Sequence, residues 1–312
     1  MLEPELREIF AAAGCDGFMH VADVDGPAAT GLEPDALVVS ASVFKVAVAL
    51  ELFRRGAAGE LDLRERIRVD PATSLGAPSG LSIFNDEVEV SLRDLAVSML
   101  TVSDALATDV LLERLGLASV NALTGSLGLE RTTIVEAIRS MFDRLAREIG
   151  FPSWREVAAH DWAEENQTVV REILDRMRVA GPCDPTRANR TTPWEMTNLL
   201  RLIWRDEAAP AEACADVRIL MGKQLQRERV ARGFPESGVR FSGKTGSFGG
   251  AFRNEVGVVA FPDGGRYAVA VFTRAHRLYE RGYEIDAAIA QASALAVASL
   301  RDAVSEPSRA PS

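Results

Sequence analysis

The chain has 312 residues, of which 47% are hydrophobic and 26% are charged, an ordinary composition for a globular protein with one large core or two packed lobes. Its formal net charge of −10 argues against nucleic acid as a partner, because an acidic surface repels phosphate backbones. No stretch approaches the roughly 18 consecutive apolar residues that span a bilayer, so no membrane association is expected.

The three cysteines, Cys15, Cys183 and Cys214, are odd in number and have no paired spacing. This pattern predicts free thiols and argues against a disulfide framework or a cysteine metal site. The first residues, Met-Leu-Glu-Pro-Glu-Leu-Arg-Glu, lack a basic segment followed by an apolar one, so no secretory signal is predicted. Together these features predict a cytoplasmic location.

The first predicted elements alternate between helix and extended structure. In chain order they are a helix at about 2–13, a strand at about 17–23, an extended run at 36–39, a helix from about 40 to 55, and helices at about 91–99 and 105–115. Ser40 is the predicted N-cap of the 40–55 helix, whose apolar residues on nearly every side predict complete burial.

The C-terminal third changes to strand-like periodicity. Short strands are predicted at 240–244, 255–261 and 267–274, with Pro262-Asp263-Gly264-Gly265 as a hairpin turn. A helix at about 283–303 follows, and the last residues, 305–312, have no apolar anchor and are predicted to be disordered. Strands near both ends with helices between them indicate the α+β class.

A serine hydroxyl is a poor nucleophile unless a base removes its proton. Histidine is the usual base, but the chain has only three, and it has no Gly-x-Ser-x-Gly nucleophile elbow. Ser42-Val43-Phe44-Lys45 offers another base, because residues three apart on a helix are neighbours. Burial would lower the pKa of Lys45 and make a neutral amine available near pH 7. Taken alone, the pattern also fits a capping serine followed by a surface lysine.

Two further motifs follow in order. Ser103-Asp104-Ala105 falls at a predicted helix start, where a simple helix cap is an equally good interpretation. Lys244-Thr245-Gly246-Ser247 falls on a strand-like segment and also fits an exposed edge strand. Together, however, Ser-x-x-Lys, Ser-Asp-x and Lys-Thr-Gly resemble the signature of class A β-lactamases and penicillin-binding proteins. The stretches at 41–46, 90–112, 191–196 and 254–259 also resemble that family, and the resemblance covers most of the chain outside about 132–187.

The resemblance implies a role for each matching residue. Ser42 would be acylated, Lys45 would accept a proton, and Ser103 would relay a proton to the leaving nitrogen. Lys244 and Thr245 would hold a substrate carboxylate, and Lys244 would tune Ser103 electrostatically. The backbone N–H groups of Ser42 and Ser247 would form the oxyanion hole.

Three more residues are implied in substrate binding, namely Asp104, Gly246 and Arg253. Arg253 lies nine residues after Lys244, where many family members carry a carboxylate-binding arginine; the alternative is a solvated strand arginine. The resemblance implies no metal and no organic cofactor. The partner it implies is a small-molecule substrate: a β-lactam, a peptide or an ester.

The sequence departs from the family pattern at three places. Ala105 replaces the asparagine of the second motif, and Asn189 stands where an aspartate usually anchors the family's Ω-loop. The glutamate of that loop, which activates the hydrolytic water, has no evident counterpart. Glu136, shortly after Leu127-Gly128-Leu129, is the nearest candidate for a replacement base, and the alternative is a solvated helix glutamate.

An insertion at about 132–187 stands in place of the Ω-loop. Apolar residues within 138–149 and within 169–177 follow a helical period, which predicts two amphipathic helices separated by Gly150-Phe151-Pro152. Trp154 and Trp162 lie between them. The insertion is either additional scaffold or a lid or wall that narrows the active-site cleft.

The expected fold is therefore β-lactamase/transpeptidase-like: an antiparallel sheet flanked by helices, with a helical lobe. One catalytic unit would span about 1–304, with an α/β lobe at about 1–32 and 223–304 and a helical lobe at about 33–222. The expected function is a β-lactamase-like serine hydrolase. The alternatives are a penicillin-binding-like or biosynthetic peptidase or esterase, and a covalent β-lactam-binding protein that deacylates slowly.

Overall fold

A five-stranded antiparallel sheet forms the centre of the molecule in the computed structural model, which describes residues 2–162 and 165–305. Its strands are β1 (Cys15–Asp23), β2 (Ala29–Leu32), β7 (Arg240–Phe248), β8 (Phe252–Ala260) and β9 (Arg266–Ala275). They are arranged in the order β2-β1-β9-β8-β7, so strands from the two ends of the chain meet at the β1–β9 pair. Two smaller antiparallel pairs join β3 (Val38–Val39) to β6 (Arg190–Thr191) and β4 (Arg66–Val69) to β5 (Val88–Ser91).

Helices make up most of the rest of the described chain. They are α1 (Leu2–Ala13), α2 (Lys45–Ala57), α3 (Leu92–Thr101), α4 (Ala105–Leu115), α5 (Leu117–Ser126), α6 (Ile138–Ile149), α7 (Trp154–Ala159), α8 (Gln167–Val179), α9 (Pro193–Trp204), α10 (Ala211–Met221) and α11 (Gly282–Ser305). An antiparallel sheet combined with helices on its faces confirms the predicted α+β class.

Both faces of the sheet are covered, because alternate residues of each strand enter different cores. In β9, Ala268, Ala270 and Phe272 face the larger core, which the helical lobe fills. The intervening Val269 and Val271 face a smaller core built with α1 and α11. The sheet therefore rigidly joins the two layers, and the edge strand β7 lies beside the helical lobe.

Helix α2 runs through the larger core. Every residue from Lys45 to Phe53 is buried, including Lys45 and Glu51, in agreement with the predicted burial on all sides. Glu51 is compensated by Arg54 and Arg55, three and four residues further along. Lys45 has no such ion pair within the described residues, and its amine instead donates to the Ser103 carbonyl oxygen.

Local capping sets the helix boundaries near the site. The Ser91 hydroxyl accepts a hydrogen bond from the backbone N–H of Asp94 and caps α3, and the Asp104 carboxylate accepts from Ala107 and caps α4. The expectation that Ser40 caps the next helix is wrong. Its backbone is already helical, it makes no side-chain cap, and a 3-10 turn, Ala41–Phe44, precedes α2.

The insertion contains three helices instead of the two predicted. Helices α6 and α8 cover the two amphipathic stretches, and the short α7 lies between them. Asp109 starts α6: its carboxylate oxygens accept hydrogen bonds from the backbone N–H groups of Ile138 (2.7 Å) and Arg139 (2.9 Å). The insertion is thus fixed to α4 at the point where it begins.

The C-terminal hairpins are longer than predicted. Strand β7 continues to Phe248, β8 starts at Phe252, and Gly264 supplies the left-handed residue (φ +95°) of the predicted turn. Helix α11 includes Ser305, the first residue of the predicted tail; the rest of that tail lies outside the described residues. None of the helices in the described ranges is long and apolar enough to cross a membrane.

Candidate active site

A cavity of about 380 Å³ opens between the helical lobe and the edge strand β7. Five of the predicted site residues line it together: Ser42, Lys45, Ser103, Thr245 and Ser247. The first three come from the helical lobe and the last two from β7. Residues separated by up to about two hundred positions in the chain are thereby placed around one space.

Ser42 is held against the sheet from two sides. The side-chain amide of Asn254 on β8 donates to the carbonyl oxygens of Val39 (2.9 Å) and Ser40 (3.4 Å), just before the nucleophile. On β7, a Cβ added to Gly246 would lie 3.1 Å from the Ser42 backbone nitrogen, so only glycine allows this approach without displacement. The Ser42 N–H lies in the first turn of its helix, where N–H groups lack intrahelical partners.

Two residues beside the cavity have strained backbones. Ala41 has a φ of +45° and Ser103 a φ of +59°, both in the left-handed region that non-glycine residues rarely adopt. Such conformations cost about 1–3 kcal/mol each and persist where the surrounding structure imposes them. Both positions involve a predicted catalytic serine, since Ala41 directly precedes Ser42 and the second residue is Ser103 itself.

The Lys45 amine lies between Ser103 and Asp104. Its Nζ is 2.7 Å from the Ser103 carbonyl oxygen, 3.4 Å from the Asp104 carbonyl oxygen and 3.2 Å from the Ser103 hydroxyl. Burial lowers the pKa of Lys45 from 10.5 to about 7. A neutral amine has two N–H bonds, which the two carbonyl oxygens can accept, leaving its lone pair for a hydroxyl proton.

The Ser42 hydroxyl makes no hydrogen bond to any residue in the described part of the chain. Catalytic hydrogen bonds are often long or poorly aligned without substrate, so this leaves the hydroxyl open to the cavity without removing it from reach of a base. Ala105 also lines the cavity, and its methyl group faces the space in which the resemblance implies an asparagine side chain.

The Asp104 carboxylate does not reach the cavity, contrary to its predicted place in substrate binding. It accepts hydrogen bonds from the backbone N–H groups of Leu81 (2.8 Å) and Ala107 (3.1 Å) and from the Ser98 hydroxyl (2.7 Å). These contacts join α3, α4 and the loop at Leu81. Asp104 therefore holds the backbone next to Ser103 in place, and its carboxylate is not available to a substrate.

Lys244 does not line the cavity, in contrast to its predicted contact with a substrate carboxylate; it is completely buried, and its Nζ donates to the Thr245 carbonyl oxygen (2.9 Å). Burial, and then the nearby Lys45, lower the pKa of Lys244 well below its ordinary value. Glu255 on β8 is buried with it, and burial raises the pKa of Glu255 to about 7. The site thus contains two buried lysines whose protonation states are coupled.

Two glutamines that sequence reasoning missed organise Thr245. The Thr245 hydroxyl donates to the Gln226 side-chain oxygen (2.5 Å), and the Thr245 N–H donates to that of Gln224 (2.5 Å). Gln224 in turn donates to Glu255 (2.8 Å), and Gln226 lines the cavity. No local sequence pattern indicated these two glutamines, because their contacts with Thr245 depend on the fold.

Arg253 also lies away from the cavity, in contrast to the prediction. Its guanidinium pairs with Asp286 on α11 (2.7 Å from Nε). The arginine that reaches the site is the buried Arg229, which donates to the Ser247 hydroxyl (2.6 Å), to the Gly246 carbonyl oxygen (3.1 Å) and to Asp286 (2.7 Å). Arg229 stands in the charged run 227–229, which resembles an exposed loop, so no signal in the sequence indicated it.

The insertion forms an apolar wall of the cavity. Ile138, Met141, Phe142 and Trp154 supply that wall, and Phe248 from β7 joins it. Glu136 does not line the cavity; its carboxylate pairs with Arg144, which also donates to the Arg187 carbonyl oxygen (3.3 Å). Among the described residues, no carboxylate side chain lines this cavity.

Asn189 lines the cavity and links the insertion to the nucleophile segment. Its side-chain oxygen accepts from Val135 (2.8 Å), its amide donates to the Glu136 carbonyl oxygen (3.0 Å), and its own carbonyl accepts from the Ser40 N–H (2.9 Å). An amide can both donate and accept here, whereas a carboxylate could only accept. In residues 2–162 and 165–305, no group of three or more His, Cys, Asp and Glu side chains is arranged to hold a metal ion.

Comparison with known proteins agrees with this geometry. Residues 1–300 match the model of the β-lactamase enzyme family. The β-lactamase regulatory protein BlaB of Streptomyces cacaoi is 31% identical over 281 residues, which cover 86% of this chain and 88% of that protein.

Solved structures share the fold over almost the whole chain. A β-lactamase from Sphaerobacter thermophilus superposes with a TM-score of 0.72 at 24% identity, covering 97% of this chain and 98% of that one. The protein PBP-A superposes with a TM-score of 0.73 at 19% identity, covering 96% of each chain. A match to the family model over nearly the full length, on the same fold, shows that the chain belongs to the β-lactamase enzyme family.

Proposed function

We propose that this protein is a serine hydrolase that forms an acyl-enzyme at Ser42 with a β-lactam or a related amide or ester. The observation that carries the proposal is the position of the buried Lys45 amine, 3.2 Å from the Ser103 hydroxyl in the cavity that Ser42 lines. Burial lowers the pKa of Lys45 to about 7, so about half of the lysine is neutral and able to accept a proton at that pH.

In the proposed acylation, the Ser42 oxygen attacks the substrate carbonyl carbon and Lys45 takes the hydroxyl proton. The backbone N–H groups of Ser42 and Ser247 stabilise the negative oxygen of the tetrahedral intermediate. The carbon–nitrogen or carbon–oxygen bond then breaks, and the proton passes from Lys45 through Ser103 to the leaving atom. The product is an ester between Ser42 and the acyl group.

Deacylation is proposed to be the slow step. Hydrolysis of the ester needs a water molecule that attacks the acyl carbon while a base accepts its proton. No carboxylate among the described residues lines the cavity, and Glu136 is paired with Arg144. Loss of general-base assistance typically slows such a step by about 10²- to 10⁴-fold.

A second candidate function is a covalent sensor of β-lactams that stays acylated and signals that state. Two observations favour it: no carboxylate of the described residues lines the cavity, and the Streptomyces cacaoi relative is described as a β-lactamase regulatory protein. A penicillin-binding-like peptidase or esterase would use the same Ser42 chemistry on a different substrate. Turnover of a chromogenic β-lactam distinguishes the hydrolase from the sensor.

The experiment that tests the nucleophile uses a fluorescent penicillin and a fluorophosphonate probe, followed by peptide mapping. We expect one adduct, on Ser42, and its complete loss in Ser42→Ala. Ser82→Ala, at another serine that follows an apolar residue in the helical lobe, serves as the control and should label like the parent. Labelling of a different serine, or unchanged labelling of Ser42→Ala, would exclude the assignment.

A further inference from the structure

A second cavity, of about 550 Å³, lies within the insertion and next to the active site. Helices α7 and α8 supply most of its lining, which includes Trp154, Val157, Trp162, Leu174, Met177 and Tyr279. Among the described residues no charged side chain lines it, and the indole N–H of Trp162 is already bonded to the Val157 carbonyl oxygen (3.2 Å). The cavity thus offers apolar surface and few free hydrogen-bonding groups.

This apolar cavity is continuous with the wall of the active site. Trp154 lines both spaces. Its ring contacts Phe142 edge-on at a centroid distance of 4.6 Å, and Phe142 contacts Phe248 at 5.4 Å. The ring of Trp154 therefore borders both the apolar cavity and the cavity that Ser42 lines, and Phe142 and Phe248 continue the aromatic wall of the latter.

The turn between β7 and β8 packs against residues that line the same cavity. A Cβ added to Gly249 would lie 3.0 Å from the Met177 methyl group, and one added to Gly250 would lie 2.7 Å from the Tyr279 ring. The turn that follows Ser247 thus packs directly on two residues that line the cavity. The rim remains open, because Trp162 is 36% exposed and Tyr279 is 66% exposed.

We propose that the apolar cavity binds an alkyl chain of the substrate whose carbonyl is attacked by Ser42, so that the substrate class is an amide, ester or β-lactam with an alkyl substituent. This inference rests on the proposed acylation of Ser42. A volume of about 550 Å³ is within the range of ligand sites. A peptide in the same place would leave its polar backbone groups without partners, whereas an alkyl chain would not.

The test measures acylation of the full-length protein by p-nitrophenyl acetate, butyrate, hexanoate and octanoate, followed by nitrophenolate release and intact mass. We expect the second-order rate, corrected for each ester's reaction with hydroxide, to rise about fourfold per added methylene. That factor corresponds to about 0.8 kcal/mol for each buried CH₂ group. Equal rates for acetate and octanoate would overturn the proposal.

Two neighbouring alanines of α7 provide a matched pair of variants. Ala158 lines the apolar cavity and Ala159 does not, although both are exposed on the same short helix. Ala158→Phe should fill the cavity and reduce the octanoate-to-acetate rate ratio at least tenfold, and Ala159→Phe should keep the ratio of the parent. An unchanged ratio in Ala158→Phe, or an equal loss in both variants, would contradict the assignment.

A binding measurement separates failure of this inference from failure of the proposed acylation. In Ser42→Ala, the fluorescence of Trp154 and Trp162 should change saturably with octanamide and not with acetamide, and Ala158→Phe should abolish the change. Ser42 labelling without chain-length dependence would overturn the alkyl site alone. Octanamide binding without labelling of Ser42 by any ester would overturn the acylation and keep the site.

Discussion

At the scale of single residues, the proposed chemistry depends on lysines that are buried away from water. The chain has three lysines among its 35 basic residues, and two of them, Lys45 and Lys244, are buried. Burial lowers the pKa of both, and the nearby Lys45 lowers the pKa of Lys244 further. This arrangement keeps a neutral amine available near physiological pH.

The protonation of Lys45 predicts the pH dependence of acylation. Because the pKa is lowered to about 7 and the neutral amine is the base, the acylation rate should rise with pH, reach half its maximum near pH 7 and level off by about pH 9. Time-resolved intact mass with penicillin between pH 5 and 9 measures this. A rate that is independent of pH across that range would contradict the assignment of the base.

Substitution of the same lysine gives a second prediction. Lys45→Arg should lower the acylation rate by about 10²-fold or more, because a guanidinium stays protonated at neutral pH. Lys223→Arg, at the exposed third lysine, is the matched control and should acylate like the parent. Acylation of Lys45→Arg at more than a tenth of the parent rate would show that another group takes the proton.

At the scale of elements, helices α2 and α4 and strand β7 were predictable because each carries a local signal. The apolar run after Ser42, the Asp104 cap and the alternation after Arg240 all determine structure over a few residues. The departures arise where distant contacts decide. The Asp104 carboxylate binds Leu81, and Arg253 turns to Asp286 on α11, contacts that no local pattern specifies.

The close approach of β7 to the nucleophile helix predicts an effect of a single methyl group. Gly246→Ala would place a Cβ 3.0 Å from the Ser40 carbonyl oxygen and 3.1 Å from the Ser42 nitrogen, so the strand or the helix must move by a few tenths of an ångström. Acylation should fall about 10- to 100-fold, because small misplacements of reacting groups are costly. Gly125→Ala, with open space around it in α5, should have no effect on the rate.

Acylation of Gly246→Ala at the parent rate would mean that the site does not depend on this approach. The measurement is the same intact-mass time course, with the melting temperature of both variants recorded. Gly125→Ala should melt at the same temperature as the parent or slightly higher, because alanine is favoured over glycine in a helix.

Helix α6 predicts how deacylation could be restored. Ile138, the first residue of α6, lines the cavity and is held there by Asp109. Ile138→Glu should introduce a carboxylate next to the acyl-enzyme and raise its hydrolysis rate by about 10²-fold or more. Val135→Glu, a nearby exposed position away from the cavity, should leave hydrolysis unchanged. A folded Ile138→Glu protein with the parent deacylation rate would contradict this role of the wall.

At the scale of the whole molecule, the two lobes meet where the chemistry is proposed. The order of elements along the sequence predicts a sheet built from both ends of the chain, because helical and strand periodicities separate clearly. The three-helix insertion and its second cavity were not predictable, since the same amphipathic pattern fits either additional scaffold or a wall of the cleft. The side chains of Ile138, Met141, Phe142 and Trp154 distinguish these, because they line the active-site cavity.

The proposed function requires that Ser42 is acylated faster than the resulting ester is hydrolysed. The most direct measurement is the intact mass of the full-length protein during reaction with a β-lactam that labels it, together with the release of product. We expect a burst of about one equivalent, an adduct that accumulates during the burst, and a slow steady state afterwards. Rapid steady turnover with no detectable acyl-enzyme would contradict it.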